Sequence, residues 1–164
     1  MIKIFSGGNM ILVTGGAGYI GSHTCVELLN ENYDVVVIDN LCNSSSESIL
    51  RINELTGKSI KFYEGDIADE TLLKRIFEEN EITVCIHFAG LKSVSESVQK
   101  PMDYYKNNIT GTLTLLKVLA EQNIKNFIFS SSATVLWRTC RDTDHRRMSQ
   151  RILYKSIWMD KIYD

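Results

Sequence analysis

A chain of 164 residues, 44% hydrophobic and 23% charged, is long enough to bury one core and shows no disordered bias. Eighteen Lys and Arg against twenty Asp and Glu leave a net charge of -2, which supplies no basic field for nucleic acid or anionic lipid. No apolar run reaches the roughly 20 residues of a membrane span and the N-terminus lacks a signal-peptide pattern, so the sequence reads as cytoplasmic.

Met10 to Thr14 is a short apolar run ending in glycines, followed by a helical pattern from Tyr19 to Asn30 that is expected to bury Ile20, Val26, Leu28 and Leu29. Asp34 to Ile38 is a continuous apolar strand of the kind a sheet covered on both faces requires, and it stops at Asp39-Asn40. The pattern then repeats: helix Ser45 to Leu55, strand Ile60 to Tyr63, helix Glu70 to Glu79, strand Thr83 to Phe88, a long helix Met102 to Gln122, and strand Asn126 to Phe129. Strands alternating with helices predict an α/β fold, a doubly wound parallel sheet of order 3-2-1-4-5 that stops after strand 5. Its ligand crevice would lie at the carboxyl ends, where strands 1 and 4 diverge. Strand 5 would be left as an open sheet edge, which invites aggregation.

Gly15, Gly18 and Gly21 fall at the turn between the first strand and helix. Gly15 permits the turn, Gly18 lets a phosphate approach the backbone, and Gly21 lets helix and strand close together, with the helix N-terminus facing the anion. Asp39 ends strand 2 where a carboxylate can accept from an adenosine ribose, and no Arg or Lys follows until Arg51, a pattern that favours NAD over NADP. Asp66 either accepts from an adenine amino group or caps the helix beginning near Glu70. His87 has no Cys or His at ligand spacing and reads as a satisfied core histidine. Lys92 and Lys106 read as solvated charges, and Ser130 to Thr134 is either a ligand-facing hydroxyl loop or simply a polar one. Cys25, Cys42, Cys85 and Cys140 lack C-x-x-C spacing, so no zinc site or disulfide framework is expected.

From Met10 to Val135 the blocks T-G-G-A-G-Y-I-G-S-H-T, D-N-L-C-N-S, G-D-I, H-F-A-G-L-K-S-V-S-E-S-V-Q-K-P, Y-Y-K-N-N-I-T-G-T and N-F-I-F-S-S-S-A-T-V resemble, in order, the UDP-glucose 4-epimerases, a family of the extended short-chain dehydrogenase/reductase superfamily. The resemblance implies a Rossmann fold that holds NAD and interconverts UDP-glucose and UDP-galactose: hydride leaves sugar C4 for NAD and returns to the opposite face. It implies that Tyr19 and Ile20 meet the pyrophosphate, that Asp39, Asn40, Leu41, Cys42, Asn43 and Ser44 form the adenosine ribose side, and that Asp66 and Ile67 meet the adenine. Phe88, Ala89, Gly90, Leu91, Lys92 and Asn107 would line the rest of the groove, and Ser132 would hydrogen-bond the reacting sugar hydroxyl. A UDP-sugar is the implied substrate, and the family's homodimer is not expected to carry over to this chain.

The resemblance stops at Val135. The family base is a tyrosine in Y-x-x-x-K, whose lysine lowers the tyrosine pKa, and no such motif occurs here: Tyr154 precedes Trp158 by four positions and Tyr163 is followed by the last residue. All ten glycines lie before residue 112, whereas both tryptophans and five of the seven arginines lie after residue 135. A frameshift would account for this, the alternative being a genuine divergent tail. Lys155 to Ile162 can be written AAA TCC ATA TGG ATG GAC AAA ATT, which one base later reads N-P-Y-G-W-T-K-F; GTT TTA TGG AGA with one T removed reads V-Y-G. Residues 136–164 are therefore expected to be out of frame, and the chain as written is expected not to epimerise. Residues 1–9 have no family counterpart, and Ser6 to Gly8 can encode a ribosome-binding sequence, so Met10 is the expected start, the alternative being a short genuine extension. The other readings the sequence allows are a non-catalytic NAD-binding module and another NAD-dependent sugar-nucleotide enzyme, such as a dehydratase.

Overall fold

A computed structural model of the chain describes residues 10–131. Its centre is a five-stranded sheet of order β3-β2-β1-β4-β5, built from β1 Met10–Thr14, β2 Asp34–Asp39, β3 Lys61–Glu64, β4 Ile82–His87 and β5 Asn126–Phe129. Every pairing is parallel, and the register sets Thr14 beside Ile38 on one side and His87 on the other. The expected order and strand direction are thus found. Strands 3 and 4 and the second helix are displaced by one or two residues from their sequence-based bounds, within the fraying expected of element ends.

The all-apolar strands follow from burial on both faces. Alternate residues Ile11, Val13, Val35, Val37, Val84 and Ile86 pack with Cys25 and Leu29 of α1 (Tyr19–Asn30) and with Ile49 and Ile52 of α2 (Glu47–Thr56). The intervening Leu12, Val36, Ile38 and Cys85 point the other way, onto Leu73, Ile76 and Phe77 of α3 (Glu70–Glu79) and Leu115, Val118 and Leu119 of α6 (Gly111–Glu121). A period of two in the strands and of nearly four in the helices is what lets one sheet carry two cores. Burial pushes the thiols of Cys25 and Cys85 up to about 12, so both are small core hydrophobes.

Two sequence-based expectations are corrected. Ile20 is 46% exposed, and the buried face of α1 is Gly21, Cys25 and Leu29, with Val26 and Leu28 only partly buried. The i, i+4, i+8 row that meets the sheet begins at a glycine, because the backbone of Gly15 and Gly16 lies too close for a side chain there. The expected long helix Met102 to Gln122 is composite: α5 (Pro101–Tyr104) passes into a π-helical stretch Tyr105–Thr110 before α6, and a short helix not expected from the sequence, α4 (Val94–Gln99), capped by the Ser93 hydroxyl, precedes it. At the far edge of the described sheet, Ile128 and Phe129 of β5 are 48% and 55% exposed.

Candidate functional site

The carboxyl ends of β1, β2 and β4 open into a cavity of about 300 Å³, the position expected of a topological switch point. One wall is the glycine turn with Gly15, Gly18 and Gly21 and the adjoining Tyr19 and Ile20. Gly15 has φ +70, and a Cβ there would stand 2.6 Å from the Ala89 nitrogen; at Gly21 a Cβ would stand 2.2 Å from the Gly15 carbonyl oxygen. Both positions therefore exclude a side chain by backbone contact. Gly18 differs: a Cβ there would meet only the Gly15 oxygen, at 3.3 Å, so its absence leaves open space along the cavity wall. The first turn of α1 carries no acidic residue and no side-chain cap, which leaves its amide donors available to an anion.

Asp39 joins this turn to the next loop. Its Oδ2 accepts from the Ala17 amide at 3.0 Å, while Oδ1 accepts from the Leu41 amide and the Ser44 hydroxyl, each at 2.9 Å. These donors use three of the roughly four acceptor positions of a carboxylate and leave the remainder for a ligand. Asn40, Cys42 and Asn43 line the cavity; Leu41, with φ 56, and Ser44 do not. Asp66 does not line it either, accepting from the Ala68 amide at 2.8 Å and from Asn40 Nδ2 at 3.3 Å, whereas its neighbour Ile67 reaches the wall. The cap of α3 is Asp69, accepting from the Leu72 amide at 3.0 Å, so the capping alternative for Asp66 does not hold.

The remaining wall is Phe88, Ala89, Gly90, Leu91 and Lys92 after β4, with Asn107 from the π-helical stretch. Beneath it lies His87, 1% exposed. The Thr112 hydroxyl donates to the Asn108 carbonyl at 2.7 Å, so it accepts from His87 Nε2, at 2.9 Å. The ring is then neutral with its proton on Nε2, and Nδ1 accepts from the Thr14 hydroxyl at 2.6 Å. Desolvation lowers the His87 pKa to about 4, which holds this polarity through the neutral range. His87 is the satisfied core histidine that the sequence implied.

Three wall residues were not read from the sequence: Ile38, Gly65 and Ser93. Gly65 sits where a Cβ would stand 2.1 Å from Leu72 Cδ2, and the glycine in G-D-I was its only signal. Ser132 lies outside the described residues. Among the described residues no group of His, Cys, Asp and Glu could hold a metal, and no helix is long and apolar enough to cross a membrane.

A parallel sheet whose first strand turns through glycines into a helix, with a carboxylate ending the second strand, defines the dinucleotide-binding class of α/β proteins. The model of the NAD dependent epimerase/dehydratase family matches residues 11–147, and the chain belongs to that family. Among similar proteins, the UDP-glucose 4-epimerase of Pasteurella multocida is 65% identical over 125 residues, 76% of this chain and 37% of that protein. That of Bacillus subtilis is 58% identical over the same length. The crystal structure of UDP-glucose 4-epimerase from Bifidobacterium longum in complex with NAD+ and UDP superposes with a TM-score of 0.76 at 56% identity, covering 77% of this chain and 38% of that one. The chain thus spans a little over a third of the length of these relatives.

Proposed function

We propose that this chain is the NAD-binding part of a UDP-glucose 4-epimerase. The observation that carries the reading is the joint between the Asp39 carboxylate and the glycine turn, which leaves the backbone bare at Gly18 in the cavity wall beside an acid with spare acceptor capacity. In this reading the amides of Tyr19 and Ile20 hold the pyrophosphate, and Asp39 accepts from the adenosine ribose hydroxyls, flanked by Asn40 and Asn43. A 2′-phosphate there would meet a carboxylate instead of a cation, so charge disfavours NADP. Asp66 orients Asn40 through its hydrogen bond while Ile67 covers the adenine. Phe88 to Lys92 and Asn107 hold the remainder. When bound, NAD would accept hydride from sugar C4 and return it. Ser132 would hydrogen-bond the reacting hydroxyl of a UDP-sugar.

Support for UDP-sugars comes from relatives: one structure from Stenotrophomonas maltophila holds NAD and formylated UDP-arabinopyranose, at 42% identity and a TM-score of 0.77 over 81% of this chain and 40% of that one. The absence of a Y-x-x-x-K motif from residues 136–164 removes the general base, so the chain as written binds cofactor without turnover. We propose further that residues 136–164 are translated out of frame. The test is a coupled assay for UDP-glucose formed from UDP-galactose, run beside sequencing of the DNA from the Ser130 codon onward. The expected results are no turnover and a next-frame reading of N-P-Y-G-x-T-K. Turnover by this chain, or a continuous frame without that motif, contradicts the corresponding part.

A further inference from the structure

We propose that Asn108, which is not part of the cavity wall, is the positioning residue that fixes the wall formed by Leu91 and Asn107; this rests on the dinucleotide reading above. The loop after β4 leaves the sheet at Phe88, so the amide and carbonyl of Leu91 have no ladder partner. The Asn108 side chain supplies both: Oδ1 accepts from the Leu91 amide at 2.8 Å and Nδ2 donates to the Leu91 carbonyl at 2.9 Å. Pairing with one donor and one acceptor fixes which way the amide faces. The same Oδ1 accepts from Asn107 Nδ2 at 2.8 Å, which orients the amide of Asn107, a residue that lines the cavity.

The π-helical stretch Tyr105–Thr110 explains how two consecutive residues serve the site together. In an α-helix neighbours diverge by about 100° around the axis; the wider turn of the π-helix, a feature frequent at functional sites, reduces that divergence. Asn108 is itself anchored at its carbonyl by the Thr112 hydroxyl, which connects through His87 to Thr14, and Thr14 Oγ1 accepts from the Ala89 amide at 3.4 Å. The loop is therefore held at Ala89 by one end of a directional chain and at Leu91 by the residue at its other end. Neither asparagine amide depends on charge, and the wall keeps its shape across the neutral pH range.

The test compares two ligands on the purified full chain. ADP reaches the glycine turn and Asp39 only, whereas NAD also fills the wall that Asn108 holds. Asn108→Ala is expected to weaken NAD about tenfold, the loss of one hydrogen-bonded contact, and to leave ADP affinity within about twofold. Asn108→Asp keeps the acceptor half and loses the donor to Leu91; it is expected to show the same selective loss, and it carries the comparison if Asn108→Ala does not fold. Equal losses for NAD and ADP, or no loss, overturn this proposal alone. A folded unsubstituted chain that binds neither ligand overturns the dinucleotide reading and this proposal with it.

Discussion

Along the glycine turn the cavity wall is backbone against backbone, with Gly21 under the Gly15 carbonyl and Gly15 against the Ala89 amide. Beyond β4 the wall is a loop suspended from asparagine and threonine side chains. At Gly15 and Gly21 the first construction admits no side chain, and in the proposed reading it would meet what every dinucleotide has, a phosphate beside a ribose. The second is held at a distance by exchangeable groups, so its shape can be adjusted by substitutions that never touch a ligand. On the proposed reading the rigid wall would serve the common part of the ligand and the adjustable wall the variable part.

The comparison breaks most severely at Gly15. Gly15→Ala combines a left-handed backbone angle with a Cβ 2.6 Å from the Ala89 nitrogen, and it should cost at least about 2 kcal/mol of stability and abolish NAD binding. Urea denaturation with a parallel NAD titration checks both. Acid should act on the other wall. Burial lowers the folded pKa of His87 to about 4, below the roughly 6.5 of an exposed histidine, so the side chain binds a proton more readily in the unfolded chain. Stability therefore falls as pH drops from about 6.5 to 4, by up to about 3 kcal/mol, and is regained above that window. The check is the urea midpoint at pH 7 and pH 4.5, with a His87→Gln variant expected to flatten the difference.

Asp39→Ala sharpens the comparison by loosening the joint between turn and loop. It strands the Ala17 and Leu41 amides and the Ser44 hydroxyl, and should cost about 1–3 kcal/mol with a larger proportional loss of NAD than of free pyrophosphate binding, measurable by calorimetric titration. The smallest effect belongs to residues that do not line the cavity. Lys117 and Lys74 hydrogen-bond Glu70 and lower its pKa to about 2, yet the pairs are exposed. Lys117→Ala should leave NAD affinity unchanged and move the melting temperature by at most a few degrees, with the shift shrinking in high salt.

The first wall was legible in the sequence because its constraints are local. Glycines at fixed offsets, an apolar run before them and an acid ending the next strand state a geometry that only those residue types satisfy. The second wall was legible only as a block of family-like residues. Six residues of π-helix produce no periodic apolar signal, so the helix from Pro101 onward reads as uniform. The bond from Asn108 to Leu91 joins residues 17 apart with no pattern in between. Ile20 misleads for a related reason: an apolar residue in the first turn of an amphipathic helix looks like core, but here that turn faces the cavity. Hydrophobic periodicity reports what the sheet covers, and is silent about which apolar side chains await a ligand.

On the proposed reading the glycine turn and Asp39 form a working NAD site in this chain. Calorimetric titration of the purified chain with NAD, after circular dichroism has shown it folded, tests that claim. A single saturable site in the micromolar range, with NADP bound at least about tenfold more weakly, is the predicted result. A folded chain that gives no saturable response to NAD, or that prefers NADP, would contradict it.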